Sequence, residues 1–133
     1  MQKKPRILAI IPARGGSKGI KKKNIIKVND KPLISWTITA AHNSNYITRT
    51  IVSSDDEDII SVAKSLGCDA PFKRPKKLAH DEAPSVDVVI HAIKKLKNFD
   101  YVTLLQPTSP LRGAEDIDKA IELMLETKSK SCA

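Results

Sequence analysis

The sequence predicts an α/β fold, in which a mainly parallel, doubly wound sheet carries helices on both faces. Short apolar runs alternate with longer amphipathic segments along the chain, as strands alternate with helices in such folds. The first run, Ile7–Ile11, is apolar at every position, as in a strand that is buried on both faces. Because each connection between predicted strands is long enough for a crossover, we expect parallel strands joined by right-handed crossovers.

Length and composition indicate a single domain over residues 1–133. Apolar residues make up 41% and charged residues 29% of the chain, which suits a packed core rather than a disordered segment. Two domains within this length would each be unusually small. No internal repeat or low-complexity linker divides the chain.

Hydrophobic period and turn residues place four strands and four helices along the chain. The predicted strands are Ile7–Ile11, Thr50–Ser53, Asp69–Phe72 and Tyr101–Leu105. The predicted helices run from about Pro32 to Ala41, from Asp56 to Leu66, from Ser85 to Lys95 and from Ala114 to about Glu126. A further strand could begin near residues 131–133.

Capping residues and apolar stripes define these helices further. Asp30 is the expected N-cap of the first helix, because Pro32 favours a first helical position. Ser54 or Asp55 is the expected N-cap of the second helix, and Gly67 is the residue just past its end. The stripes expected to face the core are Leu33, Ile34, Trp36, Ile38 and Ala41 in the first helix, Val86, Val89, Ile90 and Ile93 in the third, and Ile117, Ala120, Ile121, Met124 and Leu125 in the fourth.

The charge balance favours an anionic partner. The chain has 23 Lys and Arg residues against 15 Asp and Glu residues, a formal net charge of +8. A platform for single-stranded nucleic acid interleaves aromatic side chains with basic ones, but here only Phe72 lies beside a basic cluster. A basic nucleic-acid-binding module therefore stays only as the non-enzymatic alternative.

Cysteine usage and hydropathy indicate a cytoplasmic protein that does not enter a membrane. Cys68 and Cys132 are too few for a disulfide scaffold and fit a reducing compartment. No apolar run approaches the ~20 residues that cross a bilayer. The basic N-terminus is not followed by the apolar segment of a secretory signal.

Three predicted loops leave the edge of the sheet at which ligands of open α/β sheets bind, outside the carboxyl ends of the strands. They are Pro12–Lys23, Ser53–Asp56 and Gln106–Arg112. Gln106 follows an apolar strand and is well placed for a ligand, with a plain turn residue as the alternative. We expect the functional residues in these three segments.

The loop after the first strand carries the strongest chemical signal. Two adjacent glycines let backbone N–H groups converge on an anion, a serine adds a hydroxyl donor, and three basic side chains add positive charge. These residues are Arg14, Gly15, Gly16, Ser17, Lys18 and Lys23. Such a mixture of directed donors and cations suits a polyphosphate. The loop is neither a Walker A motif nor a G-x-G-x-x-G dinucleotide site, and the alternative is a solvated basic loop.

Other polar residues have structural explanations that compete with functional ones. Asp55 and Asp56 could form a metal pair, but capping of the next helix is favoured. Cys68 is expected to be a small buried residue rather than a nucleophile. The basic run of Lys73, Arg74, Lys76 and Lys77 indicates a solvated surface on charge alone. The three histidines, His42, His80 and His91, share no metal-ligand spacing, and His91 is expected to be exposed.

Four motifs in register resemble the acylneuraminate cytidylyltransferases, the CMP-N-acetylneuraminic acid synthetases. They are IPARGGSKGIKKKN (Ile11–Asn24), IVSSDDEDI (Ile51–Ile59), RPKKLAHDEAPS (Arg74–Ser85) and LLQPTSPLR (Leu104–Arg112). The resemblance covers almost the whole chain, which corresponds to the N-terminal part of a longer family domain. It implies a Rossmann-like nucleotidyltransferase fold that is incomplete at the C-terminus.

The resemblance implies an enzyme that transfers CMP from CTP to the anomeric hydroxyl of a nonulosonate, an acidic nine-carbon sugar of the sialic acid type. Pyrophosphate is the other product. Legionaminate and pseudaminate are the alternative sugars. The family also implies Mg²⁺ held by ligands beyond residue 133, hence no metal ligand in this chain, and a homodimer of the full-length protein.

Site roles carry over by position in the motifs. The nucleotide-binding residues that the resemblance implies are Ala13, Arg14, Gly15, Gly16, Ser17, Lys18, Lys23, Asn24, Arg74 and Ser85. Lys23 and Arg14 are the implied catalytic residues, because charge on a departing pyrophosphate must be neutralised. Arg74 and Ser85 would lie on the cytidine side, and Gln106 would reach the sugar. Lys21 stands where many relatives have proline.

Overall fold

The computed structural model describes residues 5–13, 27–28, 31–71, 73, 85–96, 98–105 and 113–127. In chain order the elements are β1 (Ile7–Pro12), β2 (Lys27–Val28), β3 (Lys31–Pro32), α1 (Leu33–His42), β4 (Arg49–Ser53), α2 (Glu57–Ser65), α3 (Ser85–Lys95), β5 (Tyr101–Leu104) and α4 (Ala114–Thr127). All four predicted helices are present within about one residue of their expected bounds, and so are three of the four predicted strands.

A parallel sheet in the order β4-β1-β5 forms the centre of the described fold. Leu8–Pro12 of β1 pairs with Arg49–Ser53 on one side, and Ile7–Ile10 pairs with Tyr101–Leu104 on the other. The chain passes from β4 back across β1 to reach β5, so right-handed crossovers put α3 on the face opposite α1 and α2. The predicted parallel α/β fold is confirmed.

The two faces of the sheet bury separate apolar clusters because side chains alternate along β1. Ile7, Ala9 and Ile11 pack with residues of α1, α2 and α4 on one face. Leu8 and Ile10 pack with Ile51 and with Ala92 of α3 on the other face. Each fully buried Leu or Ile side chain contributes roughly 1.5–3 kcal/mol. The doubly wound arrangement therefore follows from a first strand that has no polar side.

The ends of α2 show how local chemistry sets its length. Asp56 is the N-cap, and its Oδ1 accepts hydrogen bonds from the Asp58 N–H at 2.8 Å and the Ile59 N–H at 3.2 Å. The predicted caps, Ser54 and Asp55, were therefore wrong by one or two residues. Gly67 has a φ of +79°, as predicted for the residue past the helix end. The predicted cap of α1, Asp30, lies outside the described residues, and Pro32 occupies that helix's N-cap position.

The structure differs from the prediction at one strand and includes one short antiparallel strand pair that was not predicted. Asp69–Phe72 is not a regular strand where it is described: Asp69 forms an isolated parallel bridge with Ile51, and Lys73 forms another with Ser54. Pro71 has no N–H to donate, so it interrupts the ladder between the two bridges. The antiparallel pair of β2 and β3 was not predicted, because strands of two residues carry no periodic signal.

α3 presents a different side to the sheet than its apolar pattern predicts. α1 buries most of its predicted stripe, Ile34, Ile38 and Ala41, and differs at Trp36. In α3, Ala92 is fully buried and Val89 packs beside it, whereas Ile90 and Ile93 are 44% and 43% exposed. In α1, Trp36 was expected in the core but is half-buried, with the Lys31 Nζ 5.1 Å from the centroid of its ring. When a helix is apolar over a wide arc, the spacing of its apolar residues does not determine which side of that arc packs against the sheet.

On α4 an apolar residue expected in the core is exposed and a polar residue is buried. On α3 a histidine expected at the surface is half-buried. Ala120 was expected in the core but is exposed, whereas Asp118 is 8% exposed. Ile117 and Ile121 are buried as predicted. His91 of α3 was expected to be exposed and is half-buried.

The buried carboxylate of Asp118 fastens the connection between α1 and β4. It accepts a hydrogen bond from the Ser44 Oγ, and the Asn45 N–H donates to its two oxygens at 3.2 and 3.1 Å. One turn further along α4, the Glu122 Oε1 accepts a hydrogen bond from the Tyr46 hydroxyl at 3.0 Å. This hydrogen bond to a carboxylate raises the pKa of the Tyr46 hydroxyl, with burial as a lesser cause. Two acidic side chains of α4 thus hold the loop between α1 and β4 in place.

We predict that Asp118→Ala destabilises the fold, because the Ser44 hydroxyl and the Asn45 N–H lose their acceptor. The expected loss is about 1–3 kcal/mol in the free energy of unfolding, measured by urea denaturation. Asp118→Asn keeps one acceptor oxygen and should lose less. The exposed Glu126 on the same helix is the control, and Glu126→Ala should change stability by less than about 0.5 kcal/mol. Equal effects of the Asp118 and Glu126 variants would contradict the role assigned to Asp118.

Candidate functional site

The carboxyl ends of the parallel strands form a tightly tied edge. Ala13, directly after β1, is completely buried, and its N–H donates to the Ser53 carbonyl at the end of β4 at 2.9 Å. On the other side of β1, the Leu105 N–H donates to the Ile10 carbonyl at 2.8 Å. Backbone hydrogen bonds therefore hold the last residues of all three strands in one row. This is the edge at which the sequence places the functional loops.

The part of this edge next to β4 is built from small, fully buried side chains. Ser53 and Ser54 have no exposed surface, like Ala13. The Ser54 Oγ accepts a hydrogen bond from the Asp56 N–H at 3.1 Å, which fixes the turn from β4 into α2. These three residues therefore present no side-chain surface at this end of the edge.

Most of the predicted site residues lie outside the described residues. These are Arg14, Gly15, Gly16, Ser17, Lys18, Lys23, Asn24, Arg74 and Gln106. Ala13 is described and belongs to the buried edge itself, so its contribution to ligand binding would come from its backbone. Ser85 is the first residue of α3, and its side chain is outside the described part. The roles given to these residues therefore stay predictions.

Three described residues, each next to a predicted site residue in the sequence, are nevertheless bonded to the carboxyl edge of the sheet. Ala13 precedes Arg14, Lys73 precedes Arg74, and Leu105 precedes Gln106. Ala13 and Leu105 are tied to the ends of neighbouring strands, and Lys73 bridges to Ser54 just past β4. The segments predicted to hold phosphate, base and sugar thus each follow a residue that is anchored at the same edge.

The Lys73 side chain forms an ion pair at the protein surface. Its Nζ lies 3.4 Å from the Glu57 Oε1, and the two side chains are 53% and 85% exposed. An ion pair this exposed contributes little to stability, because water screens it. Lys73 therefore matches the solvated surface expected of the basic run.

Asp56, one of the two aspartates after β4, caps α2. Both hydrogen bonds to the Asp56 Oδ1 come from backbone N–H groups of the first turn of α2, which confirms the capping hypothesis for this residue. Across the described ranges, no group of three or more His, Cys, Asp or Glu side chains could hold a metal ion.

Cys68 is buried and poorly suited to nucleophilic chemistry. Its side chain is 3% exposed, and its Sγ lies 3.7 Å from the Thr50 carbonyl oxygen. Burial, followed by the nearby Asp69 carboxylate, raises the pKa of the thiol to about 12. The thiolate is therefore scarce at neutral pH, as predicted for a small residue of the core.

Ser53 was predicted to end a strand and to begin Ser53–Asp56, one of the three segments expected to carry functional residues. Its carbonyl accepts the hydrogen bond from the Ala13 N–H at the start of the loop after β1. The apolar pattern of the two strands did not indicate this backbone contact.

No helix in the part of the chain that the structure describes is long and apolar enough to span a membrane.

We predict that Asp56→Ala destabilises the protein by about 1 kcal/mol, since two N–H groups of α2 lose their acceptor. Asp56→Asn is the matched control and should keep most of that stability, because asparagine is an equally good N-cap. Thermal unfolding with and without Mg²⁺ gives the measurement. A metal role for Asp56 would instead appear as Mg²⁺-dependent stabilisation that both variants abolish.

Comparison with known proteins agrees with the parallel sheet and its loop-bearing edge. The sequence profile of a cytidylyltransferase family matches residues 8–133. A pseudaminic acid cytidylyltransferase of Campylobacter jejuni is 46% identical over 127 residues, which cover 92% of this chain and 55% of that relative. An N-acylneuraminate cytidylyltransferase of Escherichia coli is 40% identical over 127 residues, which cover 96% of this chain and 30% of that relative.

A solved structure supports the same fold. A CMP:2-keto-3-deoxy-manno-octonic acid synthetase complexed with CTP superposes with a TM-score of 0.81 at 20% identity. The superposition covers 93% of this chain and 49% of that one. This chain therefore spans about half the length of the relatives it matches, or less. The family profile covers nearly every residue, and the chain belongs to the cytidylyltransferase family.

Proposed function

We propose that this chain is the nucleotide-binding part of an enzyme that transfers CMP from CTP to a nonulosonate sugar and releases pyrophosphate. The observation that carries the proposal is the identity of 46% and 40% to enzymes named for CMP transfer to pseudaminic acid and to an acylneuraminate. The anchored edge of the sheet supports it, because the three motif-bearing loops follow residues that are held there.

The proposed reaction is an in-line displacement at the α-phosphorus of CTP. The anomeric hydroxyl oxygen of the sugar forms the new bond to phosphorus, and the bond to the oxygen bridging the α- and β-phosphates breaks. Negative charge accumulates on the departing pyrophosphate. Backbone N–H groups at Gly15 and Gly16 and the charges of Arg14, Lys18 and Lys23 are proposed to stabilise that charge.

The other proposed contacts select the base and the sugar. Arg74 and Ser85 are proposed to face the edge of cytosine, where hydrogen-bond donors and acceptors distinguish it from the other bases. Ser85 is the first residue of α3, so its backbone N–H has no partner within the helix. Gln106 directly follows Leu105, which is tied to β1, and is proposed to reach the sugar.

The proposal also covers conditions and assembly. We propose that Mg²⁺ assists the reaction by neutralising phosphate charge, with its ligands outside residues 1–133. A cytoplasmic location and a homodimer of the complete protein belong to the same proposal. The Campylobacter relative, which is named for pseudaminic acid, makes that sugar the first alternative to sialic acid, followed by legionaminate. Binding of nucleic acid is the less favoured alternative, since the family match explains the basic loop without it.

We predict that CTP stabilises the protein against thermal unfolding more than ATP, GTP or UTP does. Ligand at 100 times its Kd stabilises a folded protein by about 2.7 kcal/mol. Differential scanning fluorimetry with the four nucleotides at equal concentration is the measurement. Equal protection by all four would contradict base selection by Arg74 and Ser85. Retention of DNA or RNA with a steep log–log dependence on salt would favour the nucleic-acid alternative.

We predict that Lys23→Ala lowers turnover by about 10²–10³-fold, the usual effect of losing one preorganised group that stabilises transition-state charge. The measurement is pyrophosphate release by the intact gene product, with sialate, pseudaminate and legionaminate offered in parallel. Lys22→Ala is the matched control, because it removes an adjacent lysine that has no proposed role. Near-normal turnover in Lys23→Ala, or an equal loss in Lys22→Ala, would remove Lys23 from the active site.

A further inference from the structure

The strands β2 and β3 form a small antiparallel pair that follows the glycine-rich segment in the chain. Lys27 pairs with Pro32, and Val28 pairs with Lys31. Lys23, which is proposed to stabilise charge on the departing pyrophosphate, precedes Lys27 by four residues. Four fully extended residues span at most about 14 Å. The position of this strand pair therefore limits where the backbone of Lys23 can lie.

Two contacts fasten β3 to the start of α1. The Ser35 Oγ donates a hydrogen bond to the Pro32 carbonyl at 2.8 Å, and Ser35 is 5% exposed. The Lys31 Nζ lies 5.1 Å from the centroid of the Trp36 ring. An ammonium group at this distance is attracted to the electron-rich face of an aromatic ring, most strongly to that of tryptophan. We call Lys31, Pro32, Ser35 and Trp36 the β3 clamp.

The β3 clamp lies at the carboxyl edge of the sheet. α1 connects β1 to β4, and these two strands are parallel neighbours. A helix that connects parallel neighbours has to run back along the sheet, so its first residues lie at the carboxyl end of the strand before it. Ala13, whose N–H donates to the Ser53 carbonyl at 2.9 Å, lies at the same edge. The glycine-rich segment therefore follows one fixed residue and precedes one fixed strand pair.

We propose that Trp36 is a positioning residue for the glycine-rich segment: it holds Lys31, and through β3 and β2 it fixes the end of that segment nearest Lys23. The inference rests on the proposed function, because it takes Lys23 to act on phosphate. Neither Trp36 nor Lys31 touches the substrate in this proposal. A charged group that is already in place binds phosphate more tightly, because binding does not have to order it.

The size of the expected effect follows from the contact between Lys31 and Trp36. Without this contact Lys23 can still reach the same position, so the loss of affinity cannot exceed what the contact supplies. A cation–π contact at an exposed site corresponds to about a two- to fivefold change in an equilibrium constant. That range applies here because Lys31 is exposed and Trp36 is half-buried.

Binding of inorganic triphosphate to the intact gene product, measured by isothermal titration calorimetry, tests the proposal. Trp36→Leu should raise the Kd about two- to fivefold, although it leaves the net charge unchanged. Lys31→Ala should raise the Kd by a similar factor, and Lys31→Arg should restore it, because arginine keeps a cation over the ring. Lys119→Ala is the matched control, since Lys119 is an exposed lysine of α4 with no proposed role.

The double variant Lys31→Ala, Trp36→Leu separates positioning from direct contact with phosphate. If both residues act through one contact, the double variant should bind triphosphate no more weakly than either single variant. If Lys31 itself held phosphate, its removal would weaken binding further when Trp36 is already replaced. If Trp36→Leu does not fold, Trp36→Met takes its place in the cycle, because methionine also lacks the ring and fills irregular gaps.

Four results would overturn the proposal: no binding of triphosphate to the unsubstituted protein, an unchanged Kd in the Trp36 variant, additive losses in the double variant, or an equal loss in Lys119→Ala. Failure of the proposed function gives a different pattern. In that case the Trp36 and Lys31 variants weaken triphosphate binding as expected, but the unsubstituted protein releases no pyrophosphate from CTP with sialate, pseudaminate or legionaminate.

Discussion

The burial of β1 on both faces, with a hydrogen-bonded strand on each side, is the constraint on which the rest of the fold depends. Leu8, Ala9, Ile10 and Ile11 have no exposed surface, so neither side of the strand can face water. Helices must therefore cover both faces, and the chain must cross from one side of β1 to the other. The same strand ends at Pro12, and the buried Ala13 that follows it directly precedes the glycine-rich segment of the sequence.

The proposed chemistry is separated from the groups that hold the fold. At the carboxyl edge, backbone hydrogen bonds and small buried residues provide a rigid base, and the motif residues lie on the segments that follow it. Rigid elements that support variable loops are a common way to place ligand-binding groups accurately.

Several acidic side chains of the described chain have structural partners. Asp56 caps α2, Asp118 holds the loop before β4, and the Asp100 Oδ2 accepts a hydrogen bond from the Arg6 N–H at 2.8 Å. Over the whole chain, 23 Lys and Arg residues stand against 15 Asp and Glu residues, an excess that favours an anionic partner.

The sequence by itself determined the helix bounds and the left-handed Gly67, because each depends on neighbours within a few residues. It also determined the parallel α/β fold, because strand and helix patterns alternate along the whole chain. It also singled out the four motifs, whose side-chain roles stay predictions where they lie outside the described residues. Tertiary structure decided which side of α3 packs against the sheet, so that Ala92 is buried and Ile90 is exposed. It also decided that Asp118 of α4 is buried. Those outcomes depend on contacts between segments far apart in the chain, such as Asp118 with Ser44, and hydrophobic period within one helix carries no information about them.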